Sequence, residues 1–157
     1  MKVKKNRLFF PLVSVLLFSV DQMMKTYAEQ NLELGEEREM KGRIILRRAH
    51  NTGMCLNFMQ DRPETVKILS ASATAAATAV QAAGLFRKGS LLQKTGMALM
   101  TAGAWSNTFD RFARGHVVDY AGFRCGKKRF EKVTYNLGDF CIMAGSILAV
   151  AASYIGK

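Results

Sequence analysis

Apolar residues in this chain are clumped rather than spread. Four mostly apolar runs, at about 8–28, 66–86, 93–111 and 135–155, are each close to the length that crosses a bilayer. A hydrocarbon core about 30 Å thick needs roughly twenty helical residues at about 1.5 Å each. Lipid offers no hydrogen-bond partners, so such runs must satisfy their own backbone groups as helices. The first run follows the basic start Met1-Lys-Val-Lys-Lys-Asn-Arg and could pass for a secretory signal peptide. It has no small-x-small cleavage site and leads straight into Asp21-Gln-Met-Met-Lys25, so we read it as a retained helix. The second run, Val66 to Phe86, is marginally hydrophobic, but its Ala, Ser and Thr residues suit close helix packing in a bilayer.

The expected fold is therefore an all-α membrane protein, a single domain over residues 1–157 with four transmembrane helices. Between helices 1 and 2 the chain is polar and then strand-like at Arg43-Ile-Ile-Leu-Arg-Arg, with a turn permitted at Gly53. A small β-sheet or cradle on the membrane surface is expected there. Residues 112–134 are expected to be a basic loop.

Hydrophobic residues make up 49% of the chain, which alone would also fit a soluble protein; their clumping decides against it. The formal charge of +11 comes from Lys and Arg tracts flanking the apolar runs. Such tracts read as contacts with anionic headgroups. Nucleic-acid binding, the rival reading of a basic chain, is not expected. Cys55, Cys125 and Cys141 are an odd set without metal-type spacing, and read best as small hydrophobes or idle thiols. Neither a nucleophile elbow, a zinc-ligand set nor a phosphate loop is visible, so no metal or cofactor is expected.

Ionisable groups at the ends of the apolar runs are costly in a membrane and mark a functional site by default. Asn107, Asp110, Arg111 and Asp119 cluster after the third run, and Asn136 and Asp139 open the fourth. Asp119 and Asp139 lack an obvious adjacent cation. Two carboxyl groups brought together share one proton near neutral pH, so one can act as base on water and the other as acid. The competing reading is a pair of buried helix-packing aspartates. Asp21 and Lys25, four residues apart, share a helical face. They are either a surface ion pair or an anchor that fixes the helix end beside the site. Asn107 and Asp110 also share a face, and Arg111 either braces the loop or holds Asp110. Asn51 reads as a turn residue or as a holder of substrate backbone. His50 and His116 read as loop residues.

These residues form four blocks in order: Asp21-Gln22-x-x-Lys25; Asn51-Thr52-Gly53; Asn107-x-x-Asp110-Arg111-x-x-x-Gly115-x-Val117-Val118-Asp119-Tyr120; and Tyr135-Asn136-Leu137-Gly138-Asp139-x-x-Ile142-x-x-Gly145. Together they resemble the lipoprotein signal peptidase (signal peptidase II) family. The chain departs from the family pattern at Ala102 to Ser106, at Met54-Cys55-Leu56 and at Gly138, where the family usually has Ala.

The resemblance implies an aspartic endopeptidase of the bacterial cytoplasmic membrane. Asp119 and Asp139 would be the catalytic pair. Asp21, Lys25, Asn51, Asn107, Asp110, Arg111 and Asn136 would support them or bind substrate. Both termini would be cytoplasmic, with residues 29–65 and the Asp119 loop on the extracytoplasmic face. The implied partners are membrane lipids and prolipoproteins already carrying diacylglycerol on cysteine, cut just before that residue. A catalytically inactive membrane binding or scaffold protein of the same fold is the alternative, and a small ion or proton transporter is a second.

Overall fold

The computed structural model describes residues 8–40, 42–54, 58–87, 90–124 and 133–155. Cys55, Cys125 and the basic tract at 127–129 lie outside the described residues. Four long helices carry the fold: α1 (Phe9–Asn31), α2 (Pro63–Phe86), α3 (Leu91–Ala113) and α4 (Leu137–Ile155). Pro11 falls in the first turn of α1 and Pro63 opens α2, positions where a missing N–H costs little. Ser90 caps α3 by accepting from the Gln93 N–H at 3.1 Å.

Helix α3 lies at the centre, packed against α1, α2 and α4. Its contact with α4 is set by glycine. A Cβ at Gly103 would come within 2.1 Å of the Gly138 carbonyl, and one at Gly145 within 2.6 Å of the Gly96 carbonyl. The pairing of 96 with 145 and of 103 with 138 makes the two helices antiparallel, with backbones nearly touching. Small residues at such a seam are the usual means of close packing between helices in lipid.

Polar groups face inward. Thr74 of α2 meets Thr108 of α3 at 2.8 Å, Gln81 donates to Ser14 of α1 at 2.9 Å, and Ser14 donates to the Ala98 carbonyl at 2.9 Å. Large apolar side chains such as Leu12, Leu16, Ile68, Ile147 and Val150 point outward and are more than half exposed. This inside-out pattern is what a lipid solvent demands, because hydrocarbon rewards internal hydrogen bonds and tolerates apolar surface. By length and hydropathy, α2 and α4 are each apolar enough to cross a membrane. The ionic residues of α1 and α3 lower their mean hydropathy, although in the fold several of those residues point into the bundle.

The sheet is larger than the sequence leads one to expect. Four antiparallel strands run in the order β1 (Glu37–Glu39), β2 (Ile44–Asn51), β3 (Val117–Phe123) and β4 (Thr134–Tyr135). Half of it comes from the segment between α3 and α4, expected to be a loop. The cause is local: β2 needs a partner for its backbone groups, and the buried stretch Val117 to Tyr120 supplies one. Val118 and Tyr120 turn toward Ala28 of α1 and Leu32 just past its end. Strand alternation then sends Val117 and Asp119 to the opposite face.

Candidate active site

Asp119 reaches its position through the strand, and Asp139 through a helix cap. The Asn136 side chain accepts from the Asp139 N–H at 2.9 Å, while the Asp139 carboxylate accepts from the Asn136 N–H at 3.1 Å. This is a reciprocal capping box, here made with Asn and Asp. It fixes the Asp139 rotamer and leaves the Asn136 amide free to donate to Asp119 at 2.6 Å. Asn136 thus joins the two carboxyl groups.

A bulge in β2 adjusts the other wall. Leu46 opposes Ala121, yet Ala49 opposes Asp119, so β2 carries one extra residue there. Asn51 opposes Val117 and is the diagonal neighbour of Asp119. Its amide donates to Asp119 at 3.3 Å and to the Met54 carbonyl, while its oxygen accepts from the Gly53 N–H at 2.9 Å. Asn51 is both a turn former and a contact of Asp119.

The second carboxylate oxygen of Asp139 accepts from Asn107 at 2.9 Å. Lys25 sets the orientation of that amide by donating to the Asn107 oxygen at 2.9 Å. Lys25 is fully buried and also bonds Asp21 at 3.0 Å, Asp110 at 2.9 Å and Ser106 at 3.1 Å. The surface-pair reading of Asp21 and Lys25 is therefore wrong: the pair is an interior anchor, because α1 packs this face on α3. Asp110 is held by Lys25, Gln22 and Arg114, and accepts from the Val118 N–H at 3.2 Å. Arg111 braces the loop, donating to the Gly53 carbonyl at 2.7 Å.

Both Asp119 and Asp139 line one cleft of about 280 Å³ between α2 and α4. Leu69, Ala73, Ile142 and Met143 give it an apolar floor, and Asn51, Asn107 and Arg111 a polar rim. Among the described residues neither carboxylate forms an ion pair. Burial, reinforced by the charge of Asp139, pushes Asp119 up to about 7, against the pull of the Asn136 and Asn51 hydrogen bonds.

A chain with this arrangement has close structural counterparts. The model of the family described as "Signal peptidase (SPase) II" matches residues 13–155. The chain belongs to the signal peptidase II family. Relatives include the lipoprotein signal peptidase of Trichormus variabilis, 30% identical over 95% of this chain and 90% of that one. That of Mesorhizobium japonicum is 29% identical over 94% and 86%. A bacterial membrane enzyme solved by the in meso method at 2.3 Å superposes with a TM-score of 0.79 at 19% identity, covering 93% of this chain and 87% of that one.

Within this peptidase family's fold, all nine sequence-predicted residues gather around the cleft or its anchor. Four neighbours were not singled out as site residues in the sequence. Arg114 lies four residues after Asp110, a spacing that signals an ion pair. Ser106 donates to Asp21 at 2.6 Å and Gln22 completes the anchor. The Tyr120 hydroxyl donates to Asp21 at 2.9 Å and accepts from the Leu137 N–H at 3.0 Å, tying α1 to the start of α4. His50 belongs to a strand, and not to a loop.

Proposed function

We propose that the chain is a membrane aspartic endopeptidase that removes the signal peptide from prolipoproteins, cutting before the diacylglyceryl-modified cysteine. The observation that carries this reading is the pair of carboxyl groups, Asp119 and Asp139, lining one cleft with amide partners and, among the described residues, no ion pair. Two such groups hold a single proton near pH 7. The ionised one takes a proton from water, and the hydroxide adds to the scissile carbonyl carbon. The neutral one gives its proton to the carbonyl oxygen. In the collapse of the resulting gem-diol, the carboxyl that took the water proton gives it to the departing nitrogen, a gem-diol hydroxyl gives its proton to the other carboxylate, the C–N bond breaks, and the pair is back in its one-proton state. Asn107 and Asn136 are positioning residues that keep both carboxyl groups aimed at the cleft.

The apolar floor suits the acyl chains of the modified cysteine, and the gap between α2 and α4 admits lipid and signal helix from the side. We assign all four helices as membrane spans, with both termini cytoplasmic and the sheet on the extracytoplasmic face of the bacterial inner membrane. The purified chain in detergent should cleave a diacylglyceryl-modified prolipoprotein and leave the unlipidated precursor intact. Absence of cleavage would give the position to a non-catalytic binding protein of this fold. Reporter fusions after residues 31 and 124 should read as exported; a cytoplasmic signal from either overturns the orientation.

A further inference from the structure

A second cluster lies outside the cleft. Glu29 sits near the C-terminal end of α1, His50 near the end of β2, and His116 in the turn between α3 and β3. Far apart in sequence, they escape any spacing motif. In the fold their potential ligand atoms lie within 4.8 Å of one another. Glu29 Oε1 is 2.6 Å from His50 Nε2 and 3.7 Å from His116 Nε2. A tetrahedral zinc ion with bonds of about 2.0–2.1 Å places its ligand atoms about 3.3 Å apart. The observed spacings bracket that value.

Two further observations separate this cluster from an ordinary hydrogen-bonded pair. A Glu29–His50 bond accounts for two of the side chains only. His116 Nε2 is buried and has no hydrogen-bond partner among the described residues, although its ring stacks on His50 with centroids 3.7 Å apart. The carboxylate is also oriented from behind. Arg48 holds Glu29 Oε2 at 2.7 Å, which turns Oε1 toward the rings, as an outer partner does for a metal-bound carboxylate. Each of the three side chains is about a quarter exposed, so a fourth position is open to water.

We propose that Glu29, His50 and His116 bind one divalent transition-metal ion of the zinc class. Two imidazoles and one carboxylate favour such an ion over calcium or magnesium. Bound there, it clamps the end of α1 to β2 and to the turn that leads into β3. The site is independent of the peptidase reading, and its test does not use cleavage.

The tag-free full chain in detergent is titrated with zinc chloride, with free zinc set by a chelating buffer. The expected result is one equivalent bound at micromolar or lower free zinc, with a rise in Tm on addition. Glu29→Gln and His116→Ala should each weaken binding by about tenfold or more, as loss of a ligand does. His116→Gln keeps the size of the side chain and guards against a folding defect. Cobalt substitution should give the visible absorption of a low-coordinate site containing nitrogen ligands. No binding at submillimolar free zinc overturns the proposal. So does unchanged affinity in both His116 variants, which would assign the ion to other groups such as the cysteines.

Discussion

Two sets of aspartates, joined in the fold through Lys25 and Asn107, are treated in opposite ways. Asp21 and Asp110 are 1% and 0% exposed, and each meets a cation: Lys25 bonds both, and Arg114 bonds Asp110 as well. Two negative and two positive charges cancel. Asp119 is almost as buried, at 5%, and among the described residues hydrogen-bonds to the amides of Asn136 and Asn51, while Asp139 bonds Asn107 and a backbone N–H. An amide bonds a carboxylate without cancelling its charge, and on the reading proposed above the second pair shares one proton. The first set builds the protein. The second set, on the proposed reading, moves a proton. The two share a link, since Lys25 orients the Asn107 that holds Asp139.

The largest effects should separate the sets. Asp119→Asn and Asp139→Asn are each expected to lower cleavage on the order of 10³-fold, while the purified protein stays folded. The double variant should lose little more, because acid and base act as a unit. Lys25→Met should do the reverse. It leaves two buried carboxylates short of a cation, a defect of about 3–5 kcal/mol, which should appear as a loss of folded yield and a Tm lower by roughly 10 °C. Turnover per folded molecule should fall less than in the Asp variants. An active Asp139→Asn, or a fully stable Lys25→Met, breaks the comparison.

Asn136→Ala tests the joint between the carboxyl groups and should act more mildly. It removes the capping box and the 2.6 Å bond to Asp119. A turnover loss of about 10–100-fold is expected, with KM nearly unchanged and about 1 kcal/mol of helix stability lost. If KM carries the whole effect, Asn136 holds substrate and does not position the pair.

The helices were legible because apolar runs in a lipid solvent have few other solutions. Asp119 and Asp139 stand out in sequence because neither has an adjacent cation, and among the described residues neither forms an ion pair. Half of the sheet was not legible. Val117 to Phe123 reads equally well as a buried loop until β2 is known to need a partner. The burial of Lys25 was hidden for a similar reason: an i,i+4 pair shows which face two charges share but not what packs over it. The Glu29, His50 and His116 cluster depends on strand register and on a turn from three separate segments, and no spacing rule reaches across them.

The smallest effect expected concerns stability against pH. Asp119 titrates at about 7 in the folded protein, well above an ordinary aspartate near 4. Between those values the folded state holds a proton that the unfolded chain has released. Stability therefore declines as pH rises through this window, and the loss is complete above about 7. Asp119→Asn cannot ionise and removes the decline. Its new amide keeps an oxygen for Asn136 to donate to, and Asn51 retains the Met54 carbonyl as an acceptor. At pH 8 the variant should melt a few degrees above the parent, since about 1 kcal/mol corresponds to roughly 2–4 °C at this chain length. At pH 5 the gap should narrow toward zero. Asp110→Asn, measured in parallel, should lower Tm at both pH values, because there the substitution strips a carboxylate from its two cations. A gap between Asp119→Asn and parent that stays constant from pH 5 to pH 8 would mean that Asp119 is ionised throughout, and the two sets of aspartates would then differ in partners but not in charge.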